Sequence, residues 1–191
     1  GLDPALCKRP TVAIMTKPLA PPSASLYREG VSLTVARTKR NLPEALSPHI
    51  KATNFLNNIL AKREAIAART FDSLLLNWRD ELTECTVSNI FFVAGERLCT
   101  PALECGILDG ITRNVVLLLA VEAGFDTQEG RYTLSDLAGV SECFLTNTSM
   151  EIMPVTKIAG QPVGDGVPGA LTSRLRALFT RERERFLEPA G

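Results

Sequence analysis

Apolar residues recur in short blocks along the first half of the chain, and turns rich in polar residues or glycine separate them. Residues 11–16 and 31–36 predict strands, joined by the proline-rich connection KPLAPPSASLYREG. The turns NWRDE and AGER divide a later stretch, so its strands would pair one after another as a meander. This stretch predicts short strands at residues 73–77, 82–85, 89–93 and 97–100.

Helical periodicity marks four other stretches. The first helix is predicted at residues 51–68, with an apolar stripe of Phe55, Leu56, Ile59, Leu60 and Ile66. A second helix is predicted between Gly110 and Gly124, a short one at residues 134–139, and an amphipathic one from Gly169 onward.

Two further strands, at residues 142–146 and 152–158, precede the hairpin-like turn IAGQPVG. No internal repeat is visible. Strands and helices mix without regular βαβ alternation, so we expect an α+β fold with a mixed sheet rather than a doubly wound one.

Composition narrows the function classes. The 191 residues suffice for one large domain, and 21 basic residues balance 21 acidic ones, which argues against nucleic acid or an anionic membrane as partner. No apolar run is long enough to span a bilayer, and we expect no signal peptide. The chain starts without methionine, so we expect it to be part of a longer protein.

The cysteine and histidine counts limit the chemistry further. Five cysteines without a CxxC pair favour free thiols in a reducing compartment, which we take to be the cytoplasm. A single histidine, His49, argues against the usual zinc sites and most Ser-His or Cys-His nucleophiles. A catalytic proton would then be carried by Lys, Asp, Glu or Tyr, or the chemistry would belong to a cofactor.

Four stretches hold the candidate residues, and each also has an ordinary explanation. Lys51 opens the predicted first helix, where a cation is slightly unfavourable; an exposed lysine loses only tenths of a kcal/mol there. Glu84 in LTECTVSNIFF could be a solvated acid at a strand end. LDGITRN leads into a helix whose first N–H groups suit a phosphate, although such helix starts are common. TNTSME could be a plain turn.

Taken together and in order, these stretches resemble the fold type IV pyridoxal-phosphate enzymes. That family includes branched-chain and D-amino-acid aminotransferases and aminodeoxychorismate lyase. The resemblance runs from about Ser25 to Phe179. It implies the large C-terminal domain of such an enzyme, with a mixed, barrel-like sheet, flanking helices and pyridoxal 5′-phosphate as cofactor.

The resemblance also assigns roles to residues. Lys51 would be the catalytic lysine that links covalently to the cofactor, and Glu84 the acid that bonds its pyridine nitrogen. Loop residues 147–149 would bind the substrate carboxylate, which adds Asn147 and Ser149 to the site. The other cofactor-binding residues would be Ser88 and Asn89 near the ring, Leu108 against it, and Gly110, Ile111, Thr112 and Thr148 around the phosphate.

The chain departs from the family pattern in several places. Phe55 stands where many members have a tyrosine, Cys85 replaces the commoner glycine, and Asn147 replaces Gly or Ser. The family's small N-terminal domain has no equivalent in residues 1–24, which would be a linker. Residues 25–191 would then form the domain that binds the cofactor.

The function implied is transfer of an amino group between an amino acid, with a branched-chain amino acid as the candidate, and a 2-oxo acid. Two alternatives stay open: elimination of pyruvate by a lyase of the aminodeoxychorismate type, and a non-catalytic remnant of the fold. The resemblance also implies a homodimer, with small-molecule substrates and neither nucleic acid nor membrane as partner.

Overall fold

The structure, a computed structural model, describes residues 2–186. Its helices are α1 (Ala24–Glu29), α2 (Leu56–Ala67), α3 (Ile111–Glu122) and α4 (Ala170–Glu182). Short 3₁₀ turns occur at Pro4–Leu6, Leu103–Cys105, Leu134–Leu137 and Arg183–Phe186. The strands are β1 (Val31–Val35), β2 (Asp72–Leu76), β3 (Leu82–Cys85), β4 (Asn89–Ala94), β5 (Arg97–Pro101), β6 (Asp126–Gly130), β7 (Glu142–Asn147), β8 (Glu151–Ile158) and β9 (Gln161–Pro162).

These strands form one mixed sheet in the order β3-β2-β1-β8-β7-β4-β5-β6, and β9 pairs with β8. The pairs β1–β2, β1–β8 and β5–β6 are parallel, whereas the others are antiparallel. The sheet curls so far that its two edges meet: the Leu82 N–H donates to the Tyr132 carbonyl, and Glu81 bridges Thr133. The expected α+β architecture with a mixed, barrel-like sheet is therefore confirmed.

Both faces of the sheet are covered at β4, which explains why residues 90–93 of that strand are all apolar. Ile90 and Phe92 of β4 point into the curl, with Leu33, Leu145 and Met153. The alternate residues of β4, Phe91 and Val93, belong to a second cluster on the other face of the sheet. That cluster also holds Phe144 of β7, Val116 of α3 and Leu175 of α4. A strand buried on both faces reads as a continuous apolar run rather than an alternating one.

Most of the predicted elements are confirmed to within one or two residues. Those are the strands at 31–36, 73–77, 82–85, 89–93, 97–100, 142–146 and 152–158, the helix at 110–124, the short helix as a 3₁₀ turn, the hairpin turn, and the helix after Gly169. The end of the predicted domain, residues 187–191, lies outside the described residues.

The predicted strand at residues 11–16 is wrong. Val12, Ile14 and Met15 are 79%, 88% and 91% exposed, and this segment pairs with no strand of the described chain. The predicted meander is also wrong. Strands β2–β3 and β4–β5 form two hairpins, but β3 lies at one edge of the sheet whereas β4 lies between β7 and β5. An apolar block thus predicts a strand, but not which strand it pairs with.

The first helix differs from its prediction in two respects. It begins at Leu56, so Lys51 lies in the preceding loop and not in a helical turn. Its buried face consists of Ala61 and Ala65, and Ala61 packs with Leu75 and Ala36 of the sheet side. All members of the predicted apolar stripe are instead exposed, from 40% to 67%: Phe55, Leu56, Ile59, Leu60 and Ile66.

Candidate active site

A cavity of about 410 Å³ opens where four segments converge. They are the loop before α2, the β3–β4 turn, the loop entering α3 and the end of β7. Two of them are neighbours in the sheet, since Asn89 of β4 pairs directly with Thr146 of β7. All predicted site residues except Ser149 line this cavity: Lys51, Glu84, Ser88, Asn89, Leu108, Gly110, Ile111, Thr112, Asn147 and Thr148.

Glu84 is almost completely buried, at 4% exposure, and both of its oxygens have partners. Oε1 lies 2.7 Å from Arg40 Nη2. Oε2 accepts from the Leu108 N–H at 3.1 Å and from Asn89 Nδ2 at 3.3 Å. Burial raises the pKa of Glu84 to about 7, against the opposing effects of Arg40, the Leu108 N–H and the charge of Lys51. Three donors thus hold this carboxyl in a buried position.

Lys51 is exposed in the loop that precedes α2, and its charge acts on Glu84 across the shared cavity. An amine and a carboxyl group separated by more than thirty residues of sequence therefore meet at one site.

The start of α3 forms a third side of the cavity. Gly110 is its N-cap and supplies no side-chain hydrogen bond, so the first N–H groups of the helix keep their capacity to bind an anion. A Cβ on Gly110 would lie 2.1 Å from Asn89 Oδ1, so the glycine is required by space and not by its backbone angles. Thr112 is buried at this end, whereas Ile111 is 78% exposed.

The loop after β7 is shaped by Asn147. Its Oδ1 accepts from the N–H groups of Ser149 and Met150, and its Nδ2 donates to the Val87 carbonyl. The amide is thus engaged by backbone groups, which leaves Thr148 as the loop's exposed polar side chain on the cavity. Ser149 does not line it.

Unpaired polar atoms concentrate in this cavity. Within residues 2–186, four buried side-chain atoms lack a hydrogen-bond partner, and three belong to cavity residues: Arg40 Nε, Ser88 Oγ and Thr146 Oγ1. A buried unpaired polar atom costs about 1–3 kcal/mol, so such a cluster indicates that a polar ligand completes it. The Lys51 amine, the Glu84 carboxyl and the uncapped start of α3 line the same cavity, and these are the groups that would bind an aldehyde, a ring nitrogen and a phosphate.

Arg40 and Thr146 are two of the cavity residues to which the sequence assigns no role. Arg40 lies in the segment ARTKRN, where a run of basic residues predicts a solvated surface, and yet it is only 8% exposed. Thr146 lies inside an apolar strand and is 1% exposed. No local pattern distinguishes either residue, because their burial results from long-range packing.

Comparison with known proteins gives the family. The profile described as Amino-transferase class IV matches residues 1–158. The chain belongs to the class IV aminotransferase family. Among curated relatives, it is 36% identical over 186 residues to a Methanocaldococcus jannaschii protein provisionally named a branched-chain-amino-acid aminotransferase, covering 97% of this chain and 64% of that protein. It is 34% identical over 183 residues to the aminodeoxychorismate lyase of Bacillus subtilis, covering 96% and 61%.

Solved structures of the class IV aminotransferase family agree with the fold. The branched-chain amino acid aminotransferase of Thermobaculum terrenum, in its PLP-bound holo form, superposes with a TM-score of 0.79 at 32% identity. That match covers 84% of this chain and 53% of the other. The chain thus spans between half and two thirds of the length of these class IV proteins.

Proposed function

We propose that this chain is the cofactor-binding domain of a pyridoxal-phosphate-dependent aminotransferase that acts on an amino acid, with a branched-chain amino acid as the candidate, and a 2-oxo acid. The observation that supports this most strongly is the arrangement of one cavity: the Lys51 amine, the buried Glu84 carboxyl and the start of α3 line it together. In this proposal residues 25–191 form the domain, residues 1–24 form a linker, and the free thiols suit the cytoplasm.

Each cavity residue then has a distinct task. Lys51 Nζ would bind the cofactor aldehyde and would hold and return the proton of the substrate α-carbon. Glu84 would hold a proton on the ring nitrogen. The N–H groups of Ile111 and Thr112, with the Thr148 hydroxyl, would hold the phosphate. When bound, the cofactor supplies an electron sink for the charge that develops on the substrate α-carbon.

The remaining predicted residues would shape the cavity around the ring. Leu108 would pack against it, and its backbone N–H fixes Glu84. Asn89 joins Glu84 Oε2 to the Leu108 carbonyl, so it would orient the acid. Ser88 has a free hydroxyl for the ligand. For the substrate carboxylate, Asn147 already engages the N–H groups of Ser149 and Met150, which favours the Thr148 hydroxyl.

A lyase reaction is the second candidate, because a relative of similar identity is an aminodeoxychorismate lyase. The two reactions would use the same lysine and acid, and they differ in product. Transfer of an amino group from leucine to 2-oxoglutarate would support the aminotransferase, whereas pyruvate release from aminodeoxychorismate would support the lyase. A chain that takes up no cofactor would instead be a remnant of the fold.

The test of the proposed function is covalent cofactor uptake. The chain is mixed with pyridoxal phosphate, reduced with borohydride, and mapped by peptide mass spectrometry. We expect the label on Lys51, no label at that site in Lys51→Ala, and unchanged labelling of Lys51 in Lys157→Ala, which alters an exposed lysine of β8. Labelling spread over surface lysines without Lys51 would contradict the proposal.

The oligomeric state belongs to the same proposal. The family resemblance implies a homodimer, and the exposed apolar stripe on α2 offers a surface for it. The stripe begins at Phe55, which also lines the cavity, so assembly through this face would lie beside the site.

A further inference from the structure

Arg40 lines the cavity with a buried guanidinium, and it belongs to none of the four sequence stretches that predict the site. Its Nη2 lies 2.7 Å from Glu84 Oε1, and the two side chains are 8% and 6% exposed. Its Nη1 donates to the side-chain oxygens of Asn57 and Asn58 on α2, at 3.3 and 3.2 Å. Its backbone N–H donates to the Leu76 carbonyl at the end of β2.

This arrangement constrains the carboxyl of Glu84 from both sides. Arg40 holds Oε1, while the Leu108 N–H and Asn89 hold Oε2. All three donors complement a carboxylate, and a protonated acid would place a hydrogen against one of them. The charge pair is also costly to bury, because desolvation of two ions offsets much of their attraction. Fold stability alone therefore gives little reason for a guanidinium at this position.

We propose that Arg40 is a positioning residue that favours the ionised form of Glu84 and fixes the carboxyl in one orientation toward the cavity. This inference rests on the proposed function, in which Glu84 bonds the ring nitrogen of the cofactor. An ionised acid accepts the ring N–H and so favours the protonated ring, whereas a neutral acid would donate its own hydrogen to an unprotonated nitrogen. Arg40 would thereby set which form of the ring the protein stabilises.

Two cationic groups, Arg40 and Lys51, act on Glu84 and favour its ionised form. Arg40 approaches from the segment after β1, Lys51 from the loop before α2, and Cys85 is its neighbour on β3. The Leu108 N–H and Asn89 are neutral donors. Burial raises the pKa of Glu84, and Arg40 is the largest influence in the opposite direction. Burial also raises the pKa of the Cys85 thiol, which stays neutral.

The direct test is the titration of the Glu84 carboxyl in the cofactor-free protein by NMR with ¹³C-labelled glutamate. The Glu84 signal is assigned by its absence from Glu84→Gln. We expect Arg40→Met to raise the pKa of Glu84 by about 1–3 pH units, as loss of an adjacent opposite charge does. Arg40→Lys keeps a charge and should bring the pKa part of the way back.

Asn57→Ala is the matched control. It removes one contact of Arg40 with α2 but leaves the pair with Glu84 in place. We expect the Glu84 titration to stay as in the original chain. If Arg40 only anchored α2, Asn57→Ala and Arg40→Met would move the titration alike, which would overturn the proposal. An unmoved titration in folded Arg40→Met would overturn it as well. Should Arg40→Met not fold, Arg40→Lys and Arg40→Gln provide the same comparison.

Cofactor uptake distinguishes this inference from the proposed function. If the original chain labels Lys51 but Arg40→Met leaves the Glu84 titration unmoved, the inference fails and the function stands. If the titration moves but no variant binds pyridoxal phosphate, the role toward a cofactor fails along with the proposed function. With both intact, the acid limb of the kcat profile in Arg40→Met should lie at higher pH than in the original chain.

Discussion

Glu84 shows at the scale of one residue how burial and hydrogen bonding compete. Three donors surround its carboxyl, yet removal from water dominates and raises the pKa to about 7. A group poised in this way changes its protonation with small changes in its surroundings. Binding of a ligand in the cavity can therefore decide whether Glu84 is charged.

Stability should depend on pH through this residue. Its pKa is raised in the folded chain, so the folded state binds the proton more tightly than the unfolded state does. The contribution of Glu84 to stability is then largest below its ordinary pKa of 4.5, falls as the pH rises through about 7, and is level above that. Each unit by which the pKa in the folded chain exceeds the pKa in the unfolded chain lowers the unfolding free energy by about 1.4 kcal/mol as the pH rises from below 4.5 to above 7.

Urea unfolding of the cofactor-free chain at a series of pH values measures this effect. We expect the unfolding free energy to fall between pH 4.5 and 7 by more in the original chain than in Glu84→Gln, which cannot titrate. Equal slopes in the two proteins would show that Glu84 is not the group responsible.

Gly110 supports a second prediction at this scale. In Gly110→Ala the new methyl group would displace Asn89, which holds both Glu84 and the Leu108 carbonyl. We expect affinity for pyridoxal phosphate to fall by about tenfold or more, ~1.4 kcal/mol, with the fold retained. Fluorescence titration gives the affinity. If the clash acts through Asn89, the double variant Gly110→Ala with Asn89→Ala should lose less than the sum of the two single variants.

At the scale of elements, two errors in the predictions have a common cause. Strand β6 escapes prediction because its sequence DTQEG contains no apolar block, and yet it pairs with β5 along its whole length. The apolar block at residues 11–16 predicts a strand and pairs with nothing in the described chain. Periodicity reports which side chains prefer burial, whereas a strand is defined by its backbone partner, which lies elsewhere in the sequence.

Helix α4 depends on a distant carboxylate for its N-terminus. Its N-cap Gly169 has no side chain, and Glu142 of β7 accepts from the N–H groups of Leu171 and Thr172 at 2.9 and 2.7 Å. We expect Glu142→Ala to reduce the unfolding free energy by about 1–2 kcal/mol, as loss of a helix cap does. Urea denaturation measures the change.

Glu122→Ala is the control for that variant. Glu122 is an exposed glutamate at the end of α3 that pairs with Arg185 on the surface. Its removal should change stability by less than about 1 kcal/mol, because solvent screens exposed ion pairs. A similar loss in both variants would contradict the capping role of Glu142.

At the scale of the whole molecule, prediction from sequence succeeds where one motif suffices and fails where distant segments meet. Short stretches predict Lys51, Glu84 and the start of α3 as site residues, and the structure brings them to one cavity. Arg40 escapes prediction, because its partners lie on β2, β3 and α2, which come together only in the folded chain. The same limit applies to α2, whose alanines face the sheet while its larger apolar residues face outward.

The outward face of α2 leads to the last prediction. Leu56 and Ile59 are 62% and 53% exposed on one side of a helix, which is unfavourable for an isolated chain. In the proposed homodimer this face is buried, so the chain should show a dimer mass by light scattering. The double variant Leu56→Lys with Ile59→Lys should be a monomer with an unchanged circular dichroism spectrum, because neither side chain belongs to the core. Val167→Lys, which changes an apolar residue that is 62% exposed elsewhere, should remain a dimer. A monomeric original chain at all concentrations, or a double variant that stays dimeric, would contradict assembly through α2.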